Sequence, residues 1–149
     1  MDLFTSKVAV YGPRLMHDLG LKDFQAAGIY GNLGHESGGW HFFQEIHPVG
    51  GGRGGEGLPM WTGARRVAFE AWCRAKHLQP YSDEASYGFM VHELTTTYAS
   101  TLRRLKQVLT LNAAVVAFEK MYEGAGIVSM GDRLTYGQRA LAAIRAAHH

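Results

Sequence analysis

Glu36 is the residue of this sequence whose type and position best fit acid catalysis. It lies in the segment 28–40, GIYGNLGHESGGW, where Ile29, Leu33 and Glu36 follow one another at i, i+4 and i+7 and so share one face of a helix. Burial on an apolar face and the negative end of a helix dipole both favour the neutral form of a carboxyl group. A glycosidase uses such a neutral acid to protonate the leaving glycosidic oxygen. The alternative is a glutamate at a helix boundary that bends out to solvent past its small neighbours.

Glu45 and Glu56 are the candidates for the second group that glycosidases normally need. Between Phe24 and Phe69 the acidic residues are Glu36, Glu45 and Glu56 alone. Glu45 follows a double glycine, where a returning strand would bring it opposite the helix end. Glu56 lies in a glycine-rich turn that would place it at the rim of a cleft. A solvated loop charge is the alternative for both residues, and for Glu56 it is at least as common.

The histidines near Glu36 raise the question of a metal. His35 and Glu36 match the start of the H-E-x-x-H zinc motif, but position 39 is glycine, so the second ligand of that motif is absent. A site built from His35, His41 and His47 is conceivable, although surface or hydrogen-bonding histidines are the usual explanation. We predict no metal and no cofactor.

Nucleophilic catalysis has little support in the sequence. Ser37 lacks the G-x-S-x-G context of a serine nucleophile, and Cys73 falls within a predicted helix core. Because Cys73 is the single cysteine, an internal disulfide and a multi-cysteine zinc site are excluded.

The elements that must position Glu36 are predicted to be mainly helical. Twelve of the 19 glycines fall between positions 28 and 63, so residues 40–61 are expected to form a loop-rich segment with a small β-hairpin. Six or seven helices are expected around it. Their predicted N-terminal signals are Asp23, Thr62, Ser82, Asn112 and the pair Ser129 and Asp132, which form a capping-box pattern.

Bulk composition predicts one domain over residues 1–149. Hydrophobic residues make up 46% of the chain and the formal net charge is +2, which favours an anionic partner without selecting one. No classical signal peptide and no membrane-spanning stretch are apparent. The protein is therefore expected in the cytoplasm of the producing host cell before release, or associated with a virion.

Three segments resemble one known family. GIYGNLGHESGGW is similar to the catalytic-helix motif of phage-type lysozymes in the lysozyme-like superfamily, and most closely to the phage tail lysozyme and endolysin group. EGLPMWTGARR resembles that group's next motif, and FEKMYEGAGIVSMGDRLTYGQRAL resembles its C-terminal ending. The three segments cover about residues 24–145 in the expected order.

The resemblance implies a lysozyme-like α+β fold, with a helical domain and a small β-hairpin lobe flanking a glycan cleft. Glu36 matches the family's catalytic glutamate, and Trp61, Thr62 and Arg65 fall on the motif that lines or supports the cleft. A glutamine of that motif is Met60 here, so any sugar contact it makes must be made differently. Related enzymes place a second acid at spacings that fit either Glu45 or Glu56, while lytic transglycosylases use the glutamate alone.

The function implied is that of a bacteriolytic muramidase. It would hydrolyse the β-1,4 bond between N-acetylmuramic acid and N-acetylglucosamine in peptidoglycan, with Glu36 as acid, Glu45 as partner and Glu56 in reserve. Tyr30, Trp40 and Trp61 are candidates to stack on sugar rings, although such aromatic residues are more often core. A monomer without nucleic-acid binding or membrane insertion is expected. The alternatives are a lytic transglycosylase and a non-catalytic wall-binding or virion structural domain.

Overall fold

The computed structural model describes residues 1–45, 53–125 and 128–147. Seven α-helices and one π-helical turn account for most of this part of the chain, so the prediction of a mainly helical fold is confirmed. The helices are α1 (Leu3–Leu19), α2 (Asp23–Glu36), α3 (Gly63–Lys76), α4 (Asp83–Thr95), α5 (Ala99–Gln107), α6 (Leu111–Phe118) and α7 (Met130–Ala147), and the π-helical turn spans Glu119–Glu123.

The predicted helix starts are confirmed in part. Ser82 caps α4 by accepting a hydrogen bond from the backbone N–H of Ala85, and Thr62 is the N-cap of α3 but makes no side-chain cap bond. Two predicted caps are wrong by one or two positions. The N-cap of α2 is Lys22, whose N–H donates to the Gln25 side chain, and the N-cap of α6 is Thr110. Local sequence does not fix the N-cap to one position, because neighbouring polar residues can each serve as the cap.

Helix α2 lies at the centre of the fold and packs against α1, α6 and α7. Three glycines on it allow this close approach. A Cβ atom at Gly28 would lie 2.5 Å from the Ala114 side chain of α6, and one at Gly31 would lie 2.6 Å from the Arg133 carbonyl oxygen of α7. At Gly34 it would meet Phe4 of α1 and a tyrosine ring of α7, each at 2.7 Å. Each glycine costs about 1 kcal/mol of helix propensity relative to alanine, so tight packing must offset that cost.

The predicted β-hairpin is not seen in the part of the chain that the structure describes. Two isolated antiparallel bridges take its place, between Gln44 and Glu56 and between Glu56 and Trp61. Glu56 and Trp61 exchange both backbone hydrogen bonds at 2.9 Å across a four-residue loop. Within that loop Gly57 and Met60 have φ of 81° and 58°, so the chain turns before a second pair can form. Residues 46–52 of the predicted segment lie outside the described residues.

Among the described residues, no helix combines the length and the apolar character needed to cross a membrane.

Candidate functional site

Glu36 is the last residue of α2, and the turn that follows fixes the direction in which the chain leaves it. The buried hydroxyl of Ser37 donates to the Leu33 carbonyl oxygen at 2.6 Å and accepts from the Trp40 N–H at 2.9 Å. Gly38 and Gly39 then adopt φ of 59° and 74°, which side chains with a Cβ rarely tolerate. The result is a rigid helix end, with the Glu36 side chain 18% exposed.

A buried arginine of α7 holds Glu36 in place. The Arg133 side chain is fully buried, and its Nη2 lies 3.2 Å from Oε2 of Glu36. Its Nη1 donates to Asn32 Oδ1 at 3.0 Å, and its Nε donates to the Val128 carbonyl oxygen at 2.5 Å. Asn32 in turn donates to the carbonyl oxygens of Gly28 and Val115. A buried guanidinium needs a counter-charge, and Glu36 supplies it.

A second carboxyl group, that of Glu123, lies in the electrostatic field of Glu36 and Arg133. Its Oε2 atom is buried and has no hydrogen-bond partner among the described residues. Burial raises the pKa of Glu123 well above its ordinary value, and the negative charge of Glu36 acts in the same direction, while Arg133 and Arg65 oppose it. Burial therefore favours the protonated form of the Glu123 carboxyl group.

Glu45 and Glu56 lie together in the segment that returns after α2. Glu45 is half-buried, and its Oε1 accepts from the Gly55 N–H at 3.1 Å. Glu56 is buried, with Arg66 Nη2 3.4 Å from its Oε2 and no partner for Oε1 in the described chain. Burial raises the pKa of Glu56, the neighbouring Glu70 adds to the effect, and Arg66 opposes it.

Glu45 also faces a surface cavity of about 590 Å³ beside the first turn of α3, and Arg53, Thr62, Arg66 and Val67 are among the residues that line it. Glu36 is not one of its lining residues, and no hydrogen bond or ion pair among the described residues joins Glu36 to Glu45 or Glu56. The structure thus brings the two candidate partners to each other but shows no contact between them and Glu36.

The three aromatic residues proposed to stack on sugar rings are buried. Tyr30, Trp40 and Trp61 are 1–3% exposed. Trp40 packs on Tyr30 and donates its indole N–H to Asp83 Oδ1 at 2.8 Å, while Trp61 donates to Glu93 Oε1 at 2.9 Å. Their rings face protein on all sides in this structure, so their evident contribution is to support the surrounding surface.

Arg65 belongs to a second polar cluster, which it forms with Glu93 and Tyr122. Its guanidinium donates to both carboxylate oxygens of Glu93, at 2.8 and 3.1 Å, and to the Tyr122 carbonyl oxygen at 2.7 Å. It lies over the rings of Tyr98 and Tyr122, 4.2 and 4.4 Å from their centroids. Arg65 thereby ties α3 to α4 and to the π-helical turn that carries Glu123.

Of the three histidines considered as metal ligands, His35 and His41 lie within the described residues. His35 Nδ1 lies 2.5 Å from Asp132 Oδ2 of α7, so this ring makes a hydrogen bond across the helix interface. The described residues contain no group of three possible metal ligands. His47 lies outside the described residues.

Comparison with known families adds the decisive observation. The model of the phage tail lysozyme family matches residues 9–144 of the chain. The chain belongs to the phage tail lysozyme family. No curated protein and no solved structure matches it.

Membership of the phage tail lysozyme family supports a lysozyme-like role in peptidoglycan degradation and an association with phage or with the cell wall. The matched range contains Glu36 and each of the residues that the structure gathers around it. Asn32, Glu123 and Arg133, and Glu93 of the cluster around Arg65, were missed as functional candidates from sequence. Asn32, Glu123 and Arg133 stand inside segments that carry the family resemblance, which was the available signal.

Proposed function

We propose that this phage tail lysozyme domain is a muramidase that hydrolyses the β-1,4 bond between N-acetylmuramic acid and N-acetylglucosamine. Glu36 protonates the leaving glycosidic oxygen. The observation that carries the proposal is the position of Glu36, at the rigid end of the central helix, partly exposed and held by a buried arginine. A partly exposed carboxyl group with a fixed orientation can meet a substrate oxygen at low reorganisation cost.

Glu45 is the better second group on the geometry of the returning segment. It is half-buried, faces an open cavity and has one oxygen fixed by the Gly55 N–H. Glu56 is 3% exposed and its pKa is raised by burial, so it is less suited to act as a charged group toward a substrate. Glu45 therefore stabilises the oxocarbenium-like transition state or activates water, with Glu56 in reserve.

Thr62 and Arg65 remain the proposed contributors to glycan binding from the second motif. Thr62 is exposed and lines the cavity that Glu45 faces. Arg65 is 26% exposed and engaged by Glu93, which supports a role in shaping the cleft. Tyr30, Trp40 and Trp61 support the walls from behind.

A lytic transglycosylase on the same substrate is the second candidate. That chemistry needs a single carboxyl group, and Glu36 is the one that the structure fixes at the end of α2 through Arg133. The products separate the two reactions. Hydrolysis leaves a reducing end, and transglycosylation leaves a 1,6-anhydro sugar, which mass spectrometry distinguishes.

The central experiment replaces Glu36 by glutamine. Glu36→Gln keeps the size of the side chain and one acceptor for Arg133, although it removes the counter-charge of that buried guanidinium. Circular dichroism first establishes that the variant is folded, and its rate of solubilisation of purified peptidoglycan should then fall by about 100-fold or more. Sedimentation with insoluble peptidoglycan should show retained binding. Glu84→Gln is the matched control, because Glu84 bonds Tyr11 and Arg14 at the α1–α4 contact, and its activity should stay near wild type.

Near-wild-type turnover by folded Glu36→Gln would refute the acid role. If the wild-type protein binds peptidoglycan but releases no fragments, the domain is a binding or virion structural module instead.

A further inference from the structure

Arg66 is a buried cation that the proposed reaction does not yet use. The buried residues of α3 are Arg66, Phe69 and Cys73, which share one face of the helix. The side chain of Arg66 is 10% exposed, and arginine is seldom buried without a specific set of partners. Phe69 packs on Trp61 with 4.6 Å between the ring centroids, so this face of α3 is fixed against the core. The guanidinium of Arg66 therefore extends from a rigid support.

The guanidinium of Arg66 contacts the segment that returns toward α3. Its Nη1 donates to the carbonyl oxygens of Arg53 and Gly54, at 2.9 and 3.1 Å. Its Nη2 lies 3.4 Å from Oε2 of Glu56, and its Nε lies 3.5 Å from Oε2 of Glu70. The two carboxyl groups face the charge of the guanidinium, and the two carbonyl bonds hold the backbone of the returning segment against α3.

The peptide unit between Gly54 and Gly55 links Arg66 to Glu45. Its carbonyl oxygen accepts from Arg66, and its N–H donates to Oε1 of Glu45 at 3.1 Å. This unit is trans and planar, so its C=O and N–H bonds point in opposite directions. When Arg66 fixes the direction of the carbonyl group, it also fixes the direction of the N–H. Arg66 thereby sets the direction from which Glu45 is held.

Two consecutive glycines need such an anchor. Glycine adopts positive and negative φ with similar ease, and Gly54 has φ of 75°. The Glu45 N–H donates to the Gly55 carbonyl oxygen at 2.8 Å, but that carbonyl belongs to the next peptide unit. Among the described contacts, Arg66 is the donor to the carbonyl group of the Gly54–Gly55 unit. The orientation of the N–H that Glu45 accepts therefore depends on Arg66.

We propose that Arg66 is a positioning residue that orients Glu45 toward the cavity through the Gly54–Gly55 peptide unit. The inference rests on the proposed function of Glu45 as the partner of Glu36. Arg66 lines the same cavity, but its Nη1 and Nη2 atoms are directed at backbone carbonyl groups and at Glu56. A carboxyl group held in one direction meets a transition state at low reorganisation cost, whereas a freely rotating one must first be ordered.

Amide hydrogen exchange of Gly55 measures the orientation without any activity. Arg66→Lys keeps a positive charge beside Glu56, but the single lysine nitrogen lacks the planar fork that reaches both carbonyl oxygens and the carboxyl group. The Gly55 N–H should then exchange at least about 10-fold faster, because it is no longer aligned with its acceptor. The Trp61 N–H, which donates to the Glu56 carbonyl oxygen at 2.9 Å, should keep its protection.

Arg74→Lys is the matched control, because Arg74 is an exposed residue of the same helix. It should change neither exchange rate. An unchanged Gly55 rate in Arg66→Lys would overturn the proposal, and so would equal acceleration at Gly55 and Trp61, which indicates general loosening of the segment. A Gly55 N–H that exchanges at the unprotected rate in the wild-type protein would overturn it without any variant.

Peptidoglycan solubilisation separates positioning from substrate binding and from a structural role. Arg66→Lys should lower kcat by about 10-fold with KM unchanged. In a Glu45→Gln background the same substitution should cost little more, because the carboxyl group that it positions is already gone. A raised KM with unchanged kcat would assign Arg66 to substrate binding, and independent losses that multiply would assign it a structural role. Either result would overturn the proposal.

The exchange and activity measurements fail separately. A Glu45→Gln protein as active as wild type would refute the proposed role of Glu45, and the positioning role with it. A slow Glu45→Gln protein, together with an unchanged Gly55 exchange rate in Arg66→Lys, would refute the positioning role alone.

Discussion

Replacing Gly31 by alanine tests how closely α2 and α7 must approach for Arg133 to reach Glu36. The added Cβ atom would lie 2.6 Å from the Arg133 carbonyl oxygen and 2.8 Å from the backbone N and Cα atoms of Gly137. These are backbone atoms, which cannot rotate away as a side chain does. The two helices must therefore separate, and the segment that carries Arg133 must move with them.

The expected free-energy change is a net loss of stability. Alanine gains about 1 kcal/mol of helix propensity over glycine. Overpacking costs about 1–3 kcal/mol, and crowding against backbone belongs at the upper end of that range. The net loss of unfolding free energy is therefore about 2 kcal/mol, which lowers Tm by about 4–8 °C for a chain of this size.

Thermal unfolding followed by circular dichroism measures the change, and Gly131→Ala is the matched control. Gly131 lies in the first turn of α7, and a Cβ atom there would meet nothing within 4 Å. Gly131→Ala should leave Tm unchanged or raise it slightly. Peptidoglycan solubilisation should also fall in Gly31→Ala, because the Arg133–Glu36 pair is displaced. A Gly31→Ala protein as stable as wild type would show that the close approach of α2 and α7 is not required.

Three further predictions concern the carboxyl groups. Glu45→Gln should reduce peptidoglycan solubilisation more than Glu56→Gln on the same wall preparation, because Glu45 reaches the cavity and Glu56 is buried; the opposite order would exchange their roles. Since Glu45 lies on a segment that returns after α2, we expect roughly 6.5–9.5 Å between the carboxyl groups of Glu36 and Glu45, and therefore an inverting reaction. Proton NMR should then detect the α anomer as the first product. An initial β anomer would mean retention. The pKa of Glu123 is raised in the folded state, whereas the unfolded chain loses this proton near the ordinary pKa of 4.5. The Tm should therefore fall as the pH rises from about 4.5 toward the folded-state pKa. Glu123→Gln should show a weaker decline of Tm over the same pH range.

Much of the helical framework was predictable because its signals are local. Glycine and proline enrichment marked residues 40–61 as non-helical, and Ser82 and Thr62 marked two helix starts within one residue. The prediction that a helix ends at about Glu36 is also confirmed, since the double glycine that follows acts within a few residues of it. The hairpin was expected from the same composition, but the described residues form two isolated bridges, and Gly57 and Met60 turn the chain between Glu56 and Trp61 before a second pair forms there.

The sequence by itself determined the helices, the end of α2 and the carboxyl group placed there, because hydrophobic periodicity and backbone preferences depend on neighbouring residues. Tertiary structure alone decided which groups surround that carboxyl. Arg133 is 97 positions from Glu36 in the chain, and it arrives only because Gly31 lets α7 lie against α2. The π-helical turn that carries Glu123 was likewise specified by no local pattern. The protonation of each group depends on the others' charges and on burial, and these exist only once the helices are packed.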